Sequence, residues 1–228
     1  VYQLMAVKKN NPEYLEKADR MLMMPEYLNY LLTGVKCSEY TNATTGQLVD
    51  AVSCDWDYDM IRRLGYPERI FGKIYEPGHI VGELTEVVAA ETGCHGAKVI
   101  LPATHDTGSA VVSVPTNSED VIYISSGTWS LIGVERLTPD TSEKSRLHNF
   151  TNEGAVGGKI RFLRNIMGLW LEQESRRQWK REGIDVSFDQ LSEMACAAKP
   201  LQCLIDPSDE VFTGPGNMPR RIAEYCRQ

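Results

Sequence analysis

The run Ala103-Thr104-His105-Asp106-Thr107-Gly108-Ser109-Ala110 sets an imidazole and a carboxylate side by side, directly before small residues. The plain reading of Asp106 is a polar turn in which it caps the next helix, a common use of Asp. The chemical reading is a carboxylate at the carboxyl end of a strand, where ligands collect in open α/β sheets. Gly108, Ser109 and Ala110 leave room for a close-packed helix and for a ligand above it. A carboxylate held there can accept the proton of an alcohol as its oxygen attacks a phosphorus atom. Ser126-Gly127-Thr128 is the second candidate. It reads first as a hairpin turn, and second as a small hydroxyl-bearing turn whose N–H groups and side chain can face a phosphate. No Gly-x-x-x-x-Gly-Lys is present, and Gly154-Ala155-Val156-Gly157-Gly158 lacks the dinucleotide spacing. Asn165 and Gln173 flank a Leu/Trp-rich stretch, and periodicity alone does not say whether they face a ligand. His79, His95 and His148 stand alone and read as structural or surface residues.

The elements that must position these residues alternate between helix and strand. Pro25 opens a short helix carrying Leu28, Leu31 and Leu32, and Gly34 closes it. Asp55 is the expected cap of a second helix, with Met60, Ile61 and Leu64 at helical spacing before Gly65. Thr85 opens a third, from Glu86 to Thr92, ended by Gly93. Between the first two, Glu39-Tyr40-Thr41-Asn42-Ala43-Thr44-Thr45 reads as a polar loop, with a substrate-facing loop as its second reading. Val99-Ile100-Leu101-Pro102 predicts a buried strand just before His105-Asp106. Pro115-Thr116-Asn117-Ser118-Glu119-Asp120 is the expected linker. Beyond it, residues 121–124 and 129–134 predict a hairpin, and residues 150–162 a strand region broken by glycines. A helix is expected from Met167 to about Lys180, with Asn165 before it and Gln173 about two turns in. Ser187 and Gln190 form a capping box for the next helix, which holds Leu191, Met194 and Ala195. An amphipathic helix begins at Met218, with Pro219 in its first turn and Ile222, Tyr225 and Cys226 on one face. It is expected to run on to Gln228 without a capping Gly or Asn, so that, with Val1 in place of an initiating Met, both ends are expected to be cut.

The composition is that of an ordinary globular protein: 228 residues, 42% hydrophobic and 24% charged. A net charge of -7 argues against a general nucleic-acid surface. It does not exclude a nucleotide, which backbone N–H groups, a few cations and a metal ion can hold. No run spans a bilayer and no signal peptide is visible. The six cysteines are scattered and read as free thiols in a reducing compartment, with Cys203 and Cys226 the pair that an oxidising one could join.

Several segments in order resemble the FGGY carbohydrate kinase family, within it the branch acting on L-rhamnulose. They are residues 18–34, Glu39-Tyr40-Thr41-Asn42-Ala43, Ala103-Thr104-His105-Asp106-Thr107, Ser125-Ser126-Gly127-Thr128-Trp129-Ser130, Asn149-Phe150-Thr151-Asn152-Glu153-Gly154 and Arg164-Asn165-Ile166-Met167-Gly168-Leu169-Trp170. The resemblance implies an α/β fold of the actin-like, ribonuclease H-like type, present in part. Residues 1–115 would be the C-terminal part of a first, sugar-binding domain, and 116–228 the N-terminal part of a second, ATP-binding domain. The implied reaction moves the γ-phosphoryl of MgATP to the 1-hydroxyl of L-rhamnulose in rhamnose catabolism, with Asp106 as general base. His105, Asp106, Thr107 and Asn165 are the implied sugar contacts, and Thr128 and Gln173 the implied ATP contacts. The family's early strand–turn with an Asp and glycines, and its later Gly-Gly-Gly turn, have no counterpart here. Residues handling Mg²⁺ are therefore expected outside this chain, and the chain by itself is expected to be inactive. Pro115 to Asp120 is the implied hinge of domain closure. The implied partners are the sugar and ATP, with no nucleic acid or membrane, in the cytoplasm. A kinase for fuculose or xylulose, and a non-catalytic sugar-binding piece, are the alternatives. The His105-Asp106-Thr107 and Asn152-Glu153-Gly154 runs speak against another ketose.

Overall fold

The computed structural model describes residues 1–116, 118 and 120–227. Asn117 and Glu119 of the expected linker and hinge, and Gln228 at the end of the expected last helix, lie outside the described residues. Backbone proximity divides the chain into two units. Unit 1 comprises Val1–Val121 and Gly133–Leu163, and unit 2 comprises Ile122–Ile132 and Arg164–Gln228.

Unit 1 opens with α1 (Tyr2–Asn10), α2 (Pro12–Lys17) and α3 (Met24–Thr33). Pro25 in the first turn of α3 and Gly34 at φ 73° after its last residue mark its ends as the sequence predicts. Its leucines do not form the inward face. Leu28 and Leu31 are exposed, and the buried residue is Glu26. The Glu26 carboxylate accepts the backbone N–H of Met23 at 2.7 Å and of Glu39 at 2.9 Å. The Thr-rich stretch is not a loop. It forms β1 (Ser38–Glu39), α4 (Tyr40–Ala43) and a 3₁₀ turn, Thr44–Gly46, with Glu39, Tyr40 and Thr41 fully buried. Its polar groups bond one another and so can leave water. The next helix, α5 (Tyr58–Arg63), is capped by Asp57 rather than Asp55. A cap must reach the N–H of the second or third helical residue; Asp57 accepts from Met60 at 2.9 Å, while Asp55 is spent on Trp56.

β2 (Ile74–Tyr75) pairs in parallel with β1, Ser38 opposite Ile74. β3 (Ile80–Glu83) and β4 (Lys98–Ile100) pair antiparallel around α6 (Glu86–Thr92), which Thr85 caps and Gly93 ends as predicted. The strand expected to be buried is largely an edge. Among the described strands β4 has β3 alone as neighbour, so Ile100 is exposed and only Leu101, past its end, is buried. α7 (Asp106–Val112) follows, flanked by His105, so Asp106 is its first residue and not its cap. The main core of the unit gathers Leu15, Trp56, Ile61, Ile70 and Phe71.

The hairpin expected after the linker is present as β5 (Ile122–Ser126) and β6 (Trp129–Arg136). After α8 (Glu143–Leu147), β7 (Phe150–Gly154) and β8 (Ile160–Met167) form a second hairpin through Gly157 and Gly158, at φ 75° and 72°. The four strands run in the order β5-β6-β8-β7, with β6 and β8 divided between the units. β8 corrects the expected helix from Met167. Ile160, Arg161, Leu163 and Met167 are buried in this strand, Asn165 lies within it and is exposed, and α9 (Trp170–Arg181) starts only at Trp170. Gln173 is therefore in the first turn of α9, not two turns in. α10 (Phe188–Ala197) has the predicted capping box of Ser187 and Gln190. α11 (Met218–Tyr225) ends at Tyr225, short of the expected 228. The unit 2 interior holds Phe212, Met218 and Glu174, whose carboxylate meets Arg177 at 2.9 Å and the Gly216 N–H at 3.1 Å.

Candidate functional site

The segment between β4 and α7 is tied down by one buried carboxylate. Glu39 accepts from the Thr104 N–H at 3.0 Å and its hydroxyl at 2.6 Å. It also accepts from the Thr41 N–H at 2.8 Å, the Thr41 hydroxyl at 2.6 Å and the Asn42 N–H at 3.1 Å. The His105 N–H donates in turn to the Thr41 hydroxyl oxygen at 3.2 Å. Ionic hydrogen bonds of this kind are the stronger ones, so the backbone that carries His105 and Asp106 is held from below.

On that backbone three expected site residues come together in unit 1. The Asp106 side chain is 96% exposed, and its Oδ1 accepts the Thr107 N–H at 2.6 Å. Thr107 itself is buried, with its hydroxyl 3.4 Å from the same oxygen. His105 is half-buried, with Nε2 3.5 Å from Asp106 Oδ1. Its other nitrogen, Nδ1, lies 2.7 Å from Arg161 Nη2 and 3.4 Å from Glu153 Oε2. Arg161 is fully buried; it donates through Nε to the Gly154 carbonyl at 3.1 Å and through Nη2 to Glu153 at 3.0 Å. Burial, and then the Arg161 guanidinium, push the His105 pKa below its ordinary value, against the carboxylates of Glu153, Asp106 and Glu39. His105 and Asp106 stand on the wall of a groove of about 1070 Å³, which Met23, Asn42 and Leu48 also line.

Two further expected residues meet in unit 2. The Thr128 hydroxyl and the Gln173 side-chain amide lie 3.3–3.5 Å apart, both solvent-facing. The Gly127-Thr128 turn is fixed from behind. The N–H groups of Gly168 and Trp170 donate to the Thr128 carbonyl, at 3.1 and 3.2 Å, and that of Leu169 to the Gly127 carbonyl at 2.9 Å. The Gly127 N–H donates to Trp129 O at 2.9 Å, so it is not a free donor of the turn. Asn165, also in unit 2, is an exposed residue of β8. Sequence reasoning missed Glu39, Glu153 and Arg161 as site residues. The available signal was slight: Glu39 and Glu153 sit in segments that resemble the family, while Arg161 shares its strand with Arg164 and Asn165 and nothing in the spacing singles it out. Among the described residues no group of three or more His, Cys, Asp or Glu side chains gathers as a metal site would.

The N-terminal domain of the FGGY family of carbohydrate kinases matches residues 1–113, and its C-terminal domain matches residues 122–228. The chain belongs to the FGGY family of carbohydrate kinases. A curated rhamnulokinase of Oceanobacillus iheyensis is 48% identical over all of this chain and 47% of its own length. One of Halalkalibacterium halodurans is 47% identical over all of this chain and 48% of its own. The chain thus spans about half the length of the curated relatives it matches. A ligand-bound xylulose kinase from Lactobacillus acidophilus superposes with a TM-score of 0.72 at 17% identity, over 87% of this chain and 39% of that one. At that identity the likeness speaks for fold alone. The fold is the actin-like, ribonuclease H-like fold of FGGY sugar kinases, present in part.

Proposed function

We propose that this chain is part of an enzyme that moves the γ-phosphoryl group of MgATP to the 1-hydroxyl of L-rhamnulose in rhamnose catabolism. The observation that carries the reading is Asp106, an exposed carboxylate beside half-buried His105 on the wall of a large groove. The substrate rests on the relatives, curated as rhamnulokinases at 47–48% identity. Asp106 takes the proton of the sugar hydroxyl as its oxygen attacks the γ-phosphorus. His105 and Asn165 contact the sugar, and Thr107 supports Asp106 through its N–H. Thr128 and Gln173 serve the phosphates of ATP. Their hydroxyl and amide are exposed donors that a phosphate oxygen can accept from, which fits that role. Mg²⁺ arrives with ATP and neutralises charge on the transferring group. Residues 1–115 belong to the sugar-binding domain and 116–228 to the ATP-binding domain in this reading, which is set in the cytoplasm; the six free cysteines fit a reducing compartment.

The activity is assigned to a protein of the relatives' full length. In such a protein Asp106→Asn is expected to cut turnover by ~10²–10⁴-fold, as loss of a general base does, while sugar binding largely survives. Near-normal turnover overturns the assignment. A panel of L-rhamnulose, fuculose and xylulose decides the substrate, with the highest kcat/KM expected for L-rhamnulose.

A further inference from the structure

We infer that Arg161 holds His105 as the neutral tautomer that carries its proton on Nε2, so that a hydrogen-bond donor, and not a second base, stands beside Asp106. The inference deepens the kinase reading and takes from it the role of Asp106. Its geometry is independent of that role.

Arg161 is always charged and can only donate. Its Nε is used by the Gly154 carbonyl, and its Nη1 has no hydrogen-bond partner among the described residues. The two protons of Nη2 go to Glu153 Oε2 at 3.0 Å and to His105 Nδ1 at 2.7 Å. A nitrogen 2.7 Å from a guanidinium N–H must be the acceptor, so Nδ1 is bare. Glu153 does not compete for a proton there, since its 3.4 Å to Nδ1 is beyond an ordinary hydrogen bond. The neutral ring then has its one proton on Nε2, the nitrogen that faces Asp106 Oδ1 at 3.5 Å. The charged groups that face the ring are Glu39 of β1, Asp106 of α7, Glu153 of β7 and Arg161 of β8. Burial and the cation next to Nδ1 together disfavour the imidazolium. His105 therefore offers a fixed N–H to a sugar hydroxyl on the side that faces Asp106, while Asp106 is the carboxylate placed to take a proton.

The test is the ¹⁵N spectrum of histidine-labelled protein, the 228-residue chain without sugar or nucleotide, with His105→Gln used to assign the His105 signals among the four histidines. The expected result is a bare Nδ1 and a protonated Nε2, with the ring charging only below pH 6.5, its ordinary value. In Arg161→Gln the proton is expected to move to Nδ1, towards Glu153, and the titration midpoint to rise. In Glu153→Gln it is expected to stay on Nε2. A protonated Nδ1 in the unaltered chain, or a tautomer unchanged in Arg161→Gln, overturns the inference. If Arg161→Gln does not fold, the unaltered chain and Glu153→Gln still decide. Because the readout is the ring, its failure leaves the kinase assignment standing, and failure of the Asp106→Asn turnover test leaves the tautomer standing.

Discussion

Glu39 and His105 show how single side chains carry this site. Glu39 is fully buried, and its carboxylate accepts from both the N–H and the hydroxyl of Thr104 and of Thr41, and from Asn42. Glu39→Gln turns one acceptor oxygen into a donor amide among these donors. It is expected to cost about 2–3 kcal/mol, read as a lower urea midpoint at unchanged slope. His105 makes a second, pH-dependent contribution. The unfolded residue takes up its proton near 6.5 and the folded one only lower. Between those two values the unfolded chain binds more protons, so stability falls as pH drops below 6.5. The slope is at most one proton, about 1.4 kcal/mol per pH unit. Glu26 tilts the other way. Burial raises its pKa above 4.5, against the N–H groups of Glu39 and Met23. The component it contributes is present below 4.5 and lost as pH rises through the folded value. The His105 component is therefore measured as the difference between the unaltered chain and His105→Gln, which is expected to lose the slope below 6.5.

At the scale of elements, local signals and close approaches separate. Caps are local. Ser187 accepts the Gln190 N–H at 3.1 Å while the Gln190 side chain accepts the Ser187 N–H at 2.8 Å. Ser187→Ala is expected to cost about 1 kcal/mol, as such caps do, in a thermal or urea melt. Those residues, and Thr85 with Gly93, were legible because a helix end is decided within a few positions. The join of β8 and α9 was not. Leu163, Met167 and Leu169 satisfy either period, and the strand wins through its place in the sheet order β5-β6-β8-β7, which no local spacing reveals. Gly168 is where that join meets the Thr128 turn. A Cβ there would lie 2.6 Å from the Gly127 carbonyl oxygen and 2.9 Å from the Ser130 nitrogen, both backbone. Gly168→Ala is expected to cost about 1–3 kcal/mol through overpacking. In a protein of the relatives' full length, the proposed function predicts that it raises KM for ATP more than KM for sugar, which steady-state kinetics would read.

At the scale of the molecule, each family domain is matched, over a chain about half as long as its curated relatives. The reaction proposed here needs sugar, ATP and metal held together. Purified 228-residue protein is expected to show no sugar-dependent ATP turnover, while protein of the relatives' length shows it. Sugar-dependent release of ADP by the shorter chain would refute this. The ordered motifs, the helix ends at Gly34 and Gly93 and the hairpin at Gly127 were determined by the sequence alone, because each depends on neighbours a few residues away. The site's supports were decided only by the tertiary structure. Glu39 meets Thr104 across 65 positions, and Arg161 meets His105 across 56. A charged side chain can be buried only where partners satisfy it, and no local spacing says which distant residues those are. His105 and Asp106 were visible as an imidazole and a carboxylate before a helix; the guanidinium of Arg161 and the buried carboxylates of Glu39 and Glu153 that define their surroundings appear only when the chain is folded.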